Sequence, residues 1–504
     1  MGAPRRSATG WDREATVIGW GIVVVGVVLR ARLWLADRSL WRDEAALVFN
    51  VLHRDLGGFA EPLAFEQGTP MGFFVLEHVV STLLGPGERA LRLVPLVASI
   101  LTMVTALVLA RRHLDPTAGL VAIALLAGSQ GLLYFAAEVK QYSLDVLVTL
   151  VVWLAASIAV SRRIDTQASV ALAVVGAVAV VLSHPAVFVL AGIGPVLAWG
   201  PLRRRDRGAV ARLVAVGTVW AAAWLGVYLV SLRDLQGNPF LLAFWRDGFL
   251  AVPPTSTEEL ARWGGALRSL SDLLAGTASV WLVAPLAALG LARLARTAPG
   301  VLAAIGLPYL AVVSASALEA YPVVERMVLF MVPALAVLVG EGTASLVGWL
   351  RRLEPHLAVV PAVMVVAVGI AAGLGDAVDP PGVEELRPLL VELAARDEPG
   401  DAVYVSSVAV PAYDYYRDRL DLAPTTVVSG RAPIDDPAAL AAELDPLDGR
   451  QRVWVVTAAF WRDEGHVAGS VAAALDRLGR PIGAWHATGA SVHLYDLSVP
   501  PAAG

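Results

Sequence analysis

The sequence predicts an α-helical integral membrane protein of about eleven transmembrane helices, with a small extracytoplasmic α/β domain at its C-terminal end. Three observations predict it. Of 504 residues, 57% are apolar and only 16% charged, and the mean hydropathy is +0.65, well above what a soluble core of this size requires. The apolar residues gather into runs long enough to cross a hydrocarbon layer of ~30 Å. Arginines recur in every second connection between those runs.

The runs place spans at roughly 15–36, 90–110, 117–136, 141–160, 168–184, 186–200, 209–231, 277–292, 299–318, 323–346 and 357–377. Short cytoplasmic loops carry excess positive charge. Arg5, Arg6 and Arg13, then Arg111 with Arg112, Arg162 with Arg163, Arg203 to Arg205 with Arg207, Arg293 with Arg296, and Arg351 with Arg352 obey one alternation without a break. This puts the N-terminus in the cytoplasm of a multi-pass plasma-membrane protein. Residues 37–89, the 137–140 turn, the turn at His184, the 232–276 loop, the turn at Tyr321 and the chain after about 378 are then outside. No small-residue cleavage site follows the first span, which reads as a retained anchor.

The chain thus divides into a membrane domain over 1–377 and a tail domain over 378–504. In the tail, strand-length runs at Ala402–Ser406, Arg452–Thr457 and Ser491–Leu494 alternate with helical patterns at 383–396, 410–419 and 465–478. Tyr413, Tyr415, Tyr416, Trp454 and Trp461 suit either a small core or stacking on sugars, and a core is the commoner use of such residues. Cysteine is absent, which excludes disulfides and thiolate metal sites. A net charge of −5 gives no case for nucleic acid, and no fixed-period repeat or glycine-rich phosphate loop is present.

Within 37–89, Asp43 to about Leu56 and Met71 to Leu84 pattern as two helices lying along the membrane surface. Asp43 and Glu44 stand in the first turn of the first. Acids favour that position through the peptide dipoles alone, but two carboxylates just outside a membrane also suit proton removal from a substrate. The polar turn Glu61 to Pro70, with Gln67, is expected to approach Asp43.

A second cluster turns the third span into the fourth: Glu138, Val139, Lys140, Gln141, Tyr142, Ser143, Leu144, Asp145. Lys140 is the only lysine in the chain. It stands near a helix N-terminus, where the dipole disfavours a cation and a bound anion such as phosphate would resolve the conflict. Gln141 and Asp145 share a face, and a carboxylate inside a membrane is costly unless paired or functional. Snorkelling of Lys140 and Glu138 to the interface is the plainer alternative. Arg326 opens the tenth span beside Tyr321 and offers a planar fork of donors to phosphate. His184 is a further candidate, although an interfacial histidine is more often structural.

The residues carry a resemblance. Leu40-Trp41-Arg42-Asp43-Glu44-Ala45, Pro70-Met71-Gly72-Phe73-Phe74, Gly87 to Leu93 and Glu138-Val139-Lys140-Gln141-Tyr142 resemble motifs of bacterial GT-C membrane glycosyltransferases. The likeness is nearest to the protein O-mannosyltransferase and aminoarabinose transferase relatives, grouped with glycosyltransferase family 39. It covers residues 15 to about 340. In that family an acidic residue of the first outer loop acts as base or helps hold a divalent ion, and Asp43 matches it. Lys140 stands where an arginine is usual, which keeps the cation without the fork.

The resemblance implies transfer of a sugar from a polyprenyl-phosphate donor to the hydroxyl of a glycan, lipid or protein acceptor. Asp43, with Glu44, is the expected catalytic acid pair. Lys140 and Arg326 are the expected phosphate partners, and Glu138, Gln141, Tyr142, Asp145, His184, Gln67 and Tyr321 the substrate-binding candidates. An oxygen-only set including Asp43 and Glu138 would suit magnesium or manganese. Phe240, Phe244, Trp245, Phe249 and Trp263 are placed to guide a lipid chain at the interface. Two alternatives stay open: a polymerase or ligase of lipid-pyrophosphate oligosaccharides, and a transporter, which would show interrupted helices and midplane polar residues.

Overall fold

The computed structural model describes residues 10–55, 57–58, 61–277, 279–431, 442–458, 476 and 479–499. They fall into two compact units. One comprises Met1–Ala36 and Arg54–Pro380, the other Asp37–His53 and Pro381–Gly504.

The first unit is a helical membrane body. Among the described residues, nine helices are long and apolar enough to cross a membrane. A tenth is the bent pair Pro116–Gly128 and Gln130–Ala137. The remaining expected span is the helix Thr166–Leu182, apolar but only 17 residues long.

Aspartates start four of these helices. The carboxylates of Asp12, Asp115, Asp165 and Asp206 accept from the N–H groups of Ala15, Ala118, Ala168 and Ala209 at 2.7 to 3.1 Å. Each takes a donor that the helix itself cannot satisfy. Three of them directly follow the arginine groups 111–112, 162–163 and 203–205, so one short turn ends a span, carries its positive charge and begins the next.

The span expected at 117–136 is instead broken at Ser129, where the axis bends by 50°. A helix break inside a membrane frees carbonyls that must find donors. Fully buried Arg30 supplies them, giving Nη2 to the Leu126 carbonyl at 3.0 Å and Nη1 to that of Ala127 at 3.2 Å, while its Nε reaches Ser99 Oγ at 2.7 Å. The Ser129 hydroxyl donates to the Leu273 carbonyl. Gly128 allows the helix Val360–Val378 to cross there, since a Cβ on Gly128 would lie 2.2 Å from the Gly369 carbonyl oxygen.

The second unit is an α/β domain. Five strands, β1 (Ala402–Val405), β2 (Thr426–Ser429), β3 (Val453–Ala458), β4 (Arg480–Ala487) and β5 (Ala490–Asp496), form one sheet in the order β2-β1-β3-β5-β4. β1 runs parallel to both β2 and β3, and β5 is antiparallel to β3 and β4. The sequence predicts the inner strands, which are buried along their length, and misses β2 and β4 at the edges, whose residues are largely exposed. Tyr413, Tyr415, Tyr416 and Trp454 are buried in this domain, as core residues. Trp461 and the helix expected over 465–478 lie outside the described residues, Asp476 excepted.

The division expected at 377 and 378 assigned all of 37–89 to the membrane domain. The structure instead places Asp37–His53 with the tail, because the helix Arg42–His53 packs on the helix Val410–Arg417 and its leading residues are hydrogen-bonded by the tail. The second helix of that loop, Met71–Leu84, stays with the membrane unit.

Candidate functional site

In the membrane unit, one polar centre forms where the chain turns from the broken span into the helix Tyr142–Ser161. Lys140 is 4% exposed, and its Nζ donates to Gln67 Oε1 at 2.7 Å. The Thr69 hydroxyl donates to Gln141 Oε1 at 3.4 Å. The 61–70 turn therefore lies against Lys140 and Gln141. Gln67 and Thr69 also line an open cleft of ≈ 660 Å³ together with Glu61, Glu66, Ser231 and Asn238. Asn238 donates to Glu66, tying the far wall to the same turn.

Two residues beyond Lys140, the Tyr142 hydroxyl accepts from Arg326 Nε at 3.0 Å. The Arg326 guanidinium also lies 5.3 Å from the centre of the Trp245 ring, a cation–π distance. Arg326 does not open an α-helix directly. It sits in the 3₁₀ turn Glu325–Met331 that precedes the helix Val332–Leu353, a turn entered through Glu325 at φ 46°. The Tyr321 hydroxyl donates to the Met327 carbonyl, and its ring packs edge-on against Phe188.

Burial, with the negative charge of Asp145 nearby, holds the Tyr321 phenol well above its usual range, so it stays a neutral donor. Asp145 is itself buried, beside Ser183. His184 follows in the same turn, and burial pushes its imidazole down to about 4. It is neutral at physiological pH, and its Nε2 makes no hydrogen bond among the described residues. A neutral imidazole can bind a hydroxyl but adds no positive charge for a phosphate. Glu138 is 1% exposed, with its carbonyl turned to the Lys140 N–H at 2.7 Å.

In the second unit, Asp43 and Glu44 stand in the first turn of Arg42–His53, as expected. They differ in access: Asp43 is partly exposed, Glu44 is 1% exposed. Asp43 is the more accessible of the two. The Arg42 N–H donates to Glu384 Oε2 at 2.7 Å. Burial, with Asp43 adding negative charge, raises the Glu384 carboxyl to about 8 against the opposing pull of Arg42. Glu384 was not a sequence candidate. Its signal was the acid pair Glu384-Glu385 just after Pro380-Pro381, where the tail begins.

The expectation of a magnesium or manganese site finds no support in the side chains. Among the described residues, no three His, Asp or Glu side chains gather as a cation site.

A family model described as dolichyl-phosphate-mannose-protein mannosyltransferase matches residues 67–228, the segment that carries Gln67, Lys140, Asp145 and His184. No curated protein sequence matches the chain. Two crystal structures of ArnT from Cupriavidus metallidurans, one in the apo state and one bound to undecaprenyl phosphate, are 16% identical to it. Each aligns over 94% of this chain and 98% of ArnT, with a TM-score of 0.52. The oligosaccharyltransferase of Archaeoglobus fulgidus, crystallised with Zn and sulfate, is 13% identical over 95% of this chain and 74% of its own, with a TM-score of 0.55. At such identities the likeness is one of fold. The chain is a multi-pass membrane protein with the GT-C fold, and its 67–228 segment is similar to the mannosyltransferase family.

Proposed function

We propose that the protein is a glycosyltransferase that moves a sugar from a polyprenyl-phosphate donor to an acceptor hydroxyl at the outer face of the cytoplasmic membrane, with inversion. The observation that carries this reading is the pair of long-range cation contacts, Lys140 with Gln67 and Arg326 with Tyr142, on a GT-C fold. ArnT has been crystallised with undecaprenyl phosphate on the same fold, which supports a lipid-phosphate donor.

In this reading Asp43 takes the proton of the acceptor hydroxyl as its oxygen attacks the anomeric carbon. The bond from that carbon to the phosphate oxygen breaks, and the electron pair leaves with the lipid phosphate. Lys140 and Arg326 stabilise the anion as it forms, which is where electrostatic catalysis gains most. Gln141, Tyr142 and Tyr321 orient these cations or bind sugar hydroxyls, as do Asp145 and His184. The arginine alternation supports the outward orientation.

A transporter is disfavoured because the one bent span among the described residues has its freed carbonyls capped internally by Arg30, and its Ser129 hydroxyl bonded to Leu273. The test is donor turnover in membrane vesicles given a polyprenyl-phosphate sugar: the intact protein should release polyprenyl phosphate, and Lys140→Gln should raise the donor KM. Release that needs a pyrophosphate-linked oligosaccharide instead would make the protein a ligase, as the likeness to the oligosaccharyltransferase would allow.

A further inference from the structure

The entry to the acid helix is held by residues more than three hundred positions away. The Ser39 N–H and hydroxyl both donate to Glu385 Oε2, at 3.1 and 2.7 Å. The Leu40 N–H donates to the Tyr416 hydroxyl at 2.7 Å, and the Arg42 N–H to Glu384 Oε2 at 2.7 Å. The first N–H groups of a helix have no partner within it, and nearby residues of the same strand of chain usually supply one. For the Arg42 N–H the tail does so in their place, and it also holds the Ser39 and Leu40 N–H groups that lead into the helix.

The supports are themselves fixed. Gly489, at φ 62°, lies under the 383–384 backbone so closely that a Cβ there would come 1.8 Å from the Val383 carbonyl oxygen. The Glu385 N–H donates to the Thr488 carbonyl at 2.8 Å. The turn joining β4 to β5 thus sets residues 383–385, and these set residues 39–42. Buried Tyr416 completes the arrangement from the helix Val410–Arg417.

We propose that Glu384, Glu385 and Tyr416 are positioning residues for Asp43, and that aiming the acid helix is the role of the C-terminal domain in the reaction. The proposal rests on Asp43 being the base. A base displaced by about 1 Å can lose ~10²-fold in rate, so a clamp one residue from Asp43 acts on turnover and not on donor binding. None of the three touches substrate in this account; they act through the backbone of residues 39–42.

The test uses the full-length protein and reads two quantities, donor kinetics and hydrogen exchange of the peptide covering residues 39–53. Glu384→Ala should lower kcat at least tenfold with the donor KM unchanged, and should speed exchange at the start of the acid helix while β1 and β3 stay protected. Glu384→Gln keeps an accepting oxygen and should restore both values. Tyr416→Phe removes the acceptor for Leu40 and should repeat the Glu384→Ala pattern more weakly, which covers the case in which Glu384→Ala does not fold. Unchanged exchange in Glu384→Ala, or faster exchange with full kcat, would overturn the proposal. Normal turnover by Asp43→Asn while Glu384→Ala stays impaired would instead place the error in the base assignment.

Discussion

Two ends of the membrane unit hold their polar groups in opposite ways. At the arginine-bearing turns the contacts are mostly local: Asp165 caps Ala168 three residues on, and Arg162 pairs with Asp165 across the same turn. Arg293, bridging Asp115 and Glu341, and Arg212, donating to the Ile164 carbonyl, are among the exceptions. At the turns bearing Lys140 and Arg326 the contacts are long-range, with Gln67 lying 73 positions from Lys140 and Tyr142 184 positions from Arg326. Local caps serve helices that would form anyway. Polar groups gathered from distant segments need the whole fold, whether they close a helix break, as Arg30 does, or assemble the candidate site around Lys140 and Arg326.

The comparison predicts unequal losses. Asp43→Asn removes a proton acceptor with little change in volume and should cut transfer by ~10²–10⁴-fold without loss of folded protein. Retention of a tenth of the activity would remove Asp43 from the role of base.

The cations come next. Lys140→Gln and Arg326→Gln should each weaken donor use, and the double variant should lose less than the sum of the two free energies if both act on one phosphate. Additive losses would assign them separate tasks. Arg326→Lys should hurt more than Lys140→Arg, because only the former discards a planar fork that Tyr142 holds in place.

His184 gives a pH test of the buried end. Its pKa is lowered from the ordinary value to about 4, so the unfolded chain binds the proton first as pH falls. Stability should decline from about pH 6.5 down to about 4, and His184→Gln should flatten that decline. The same decline in the variant would mean that His184 is not the responsible group. The smallest effect belongs to the arginine side: Asp165→Ala should lower the melting temperature slightly through loss of the Ala168 cap and leave transfer unchanged.

Those differences also explain what could be read from sequence. Spans and arginine turns are short-range patterns, and ten of the expected spans emerge as long helices or a bent pair while the eleventh is the short Thr166–Leu182. The break at Ser129 was hidden because nothing local announces that Arg30 will cap Leu126 and Ala127. The residue types of the candidate site were visible in Lys140, Tyr142, Asp145 and Arg326. Their partners were not: no local pattern pairs Gln67 with Lys140, and Glu384 drew no notice. Pairings across dozens or hundreds of residues follow from packing, which the period of a helix or strand does not encode.

The central claim, transfer from a polyprenyl-phosphate sugar with Asp43 as base, is tested most directly by mass spectrometry of the polyprenyl lipids in cells whose only copy carries Asp43→Asn. A polyprenyl-phosphate monosaccharide should accumulate there and vanish when the unaltered protein is restored. Accumulation of a pyrophosphate-linked oligosaccharide, or a lipid profile unchanged by the substitution, would contradict it.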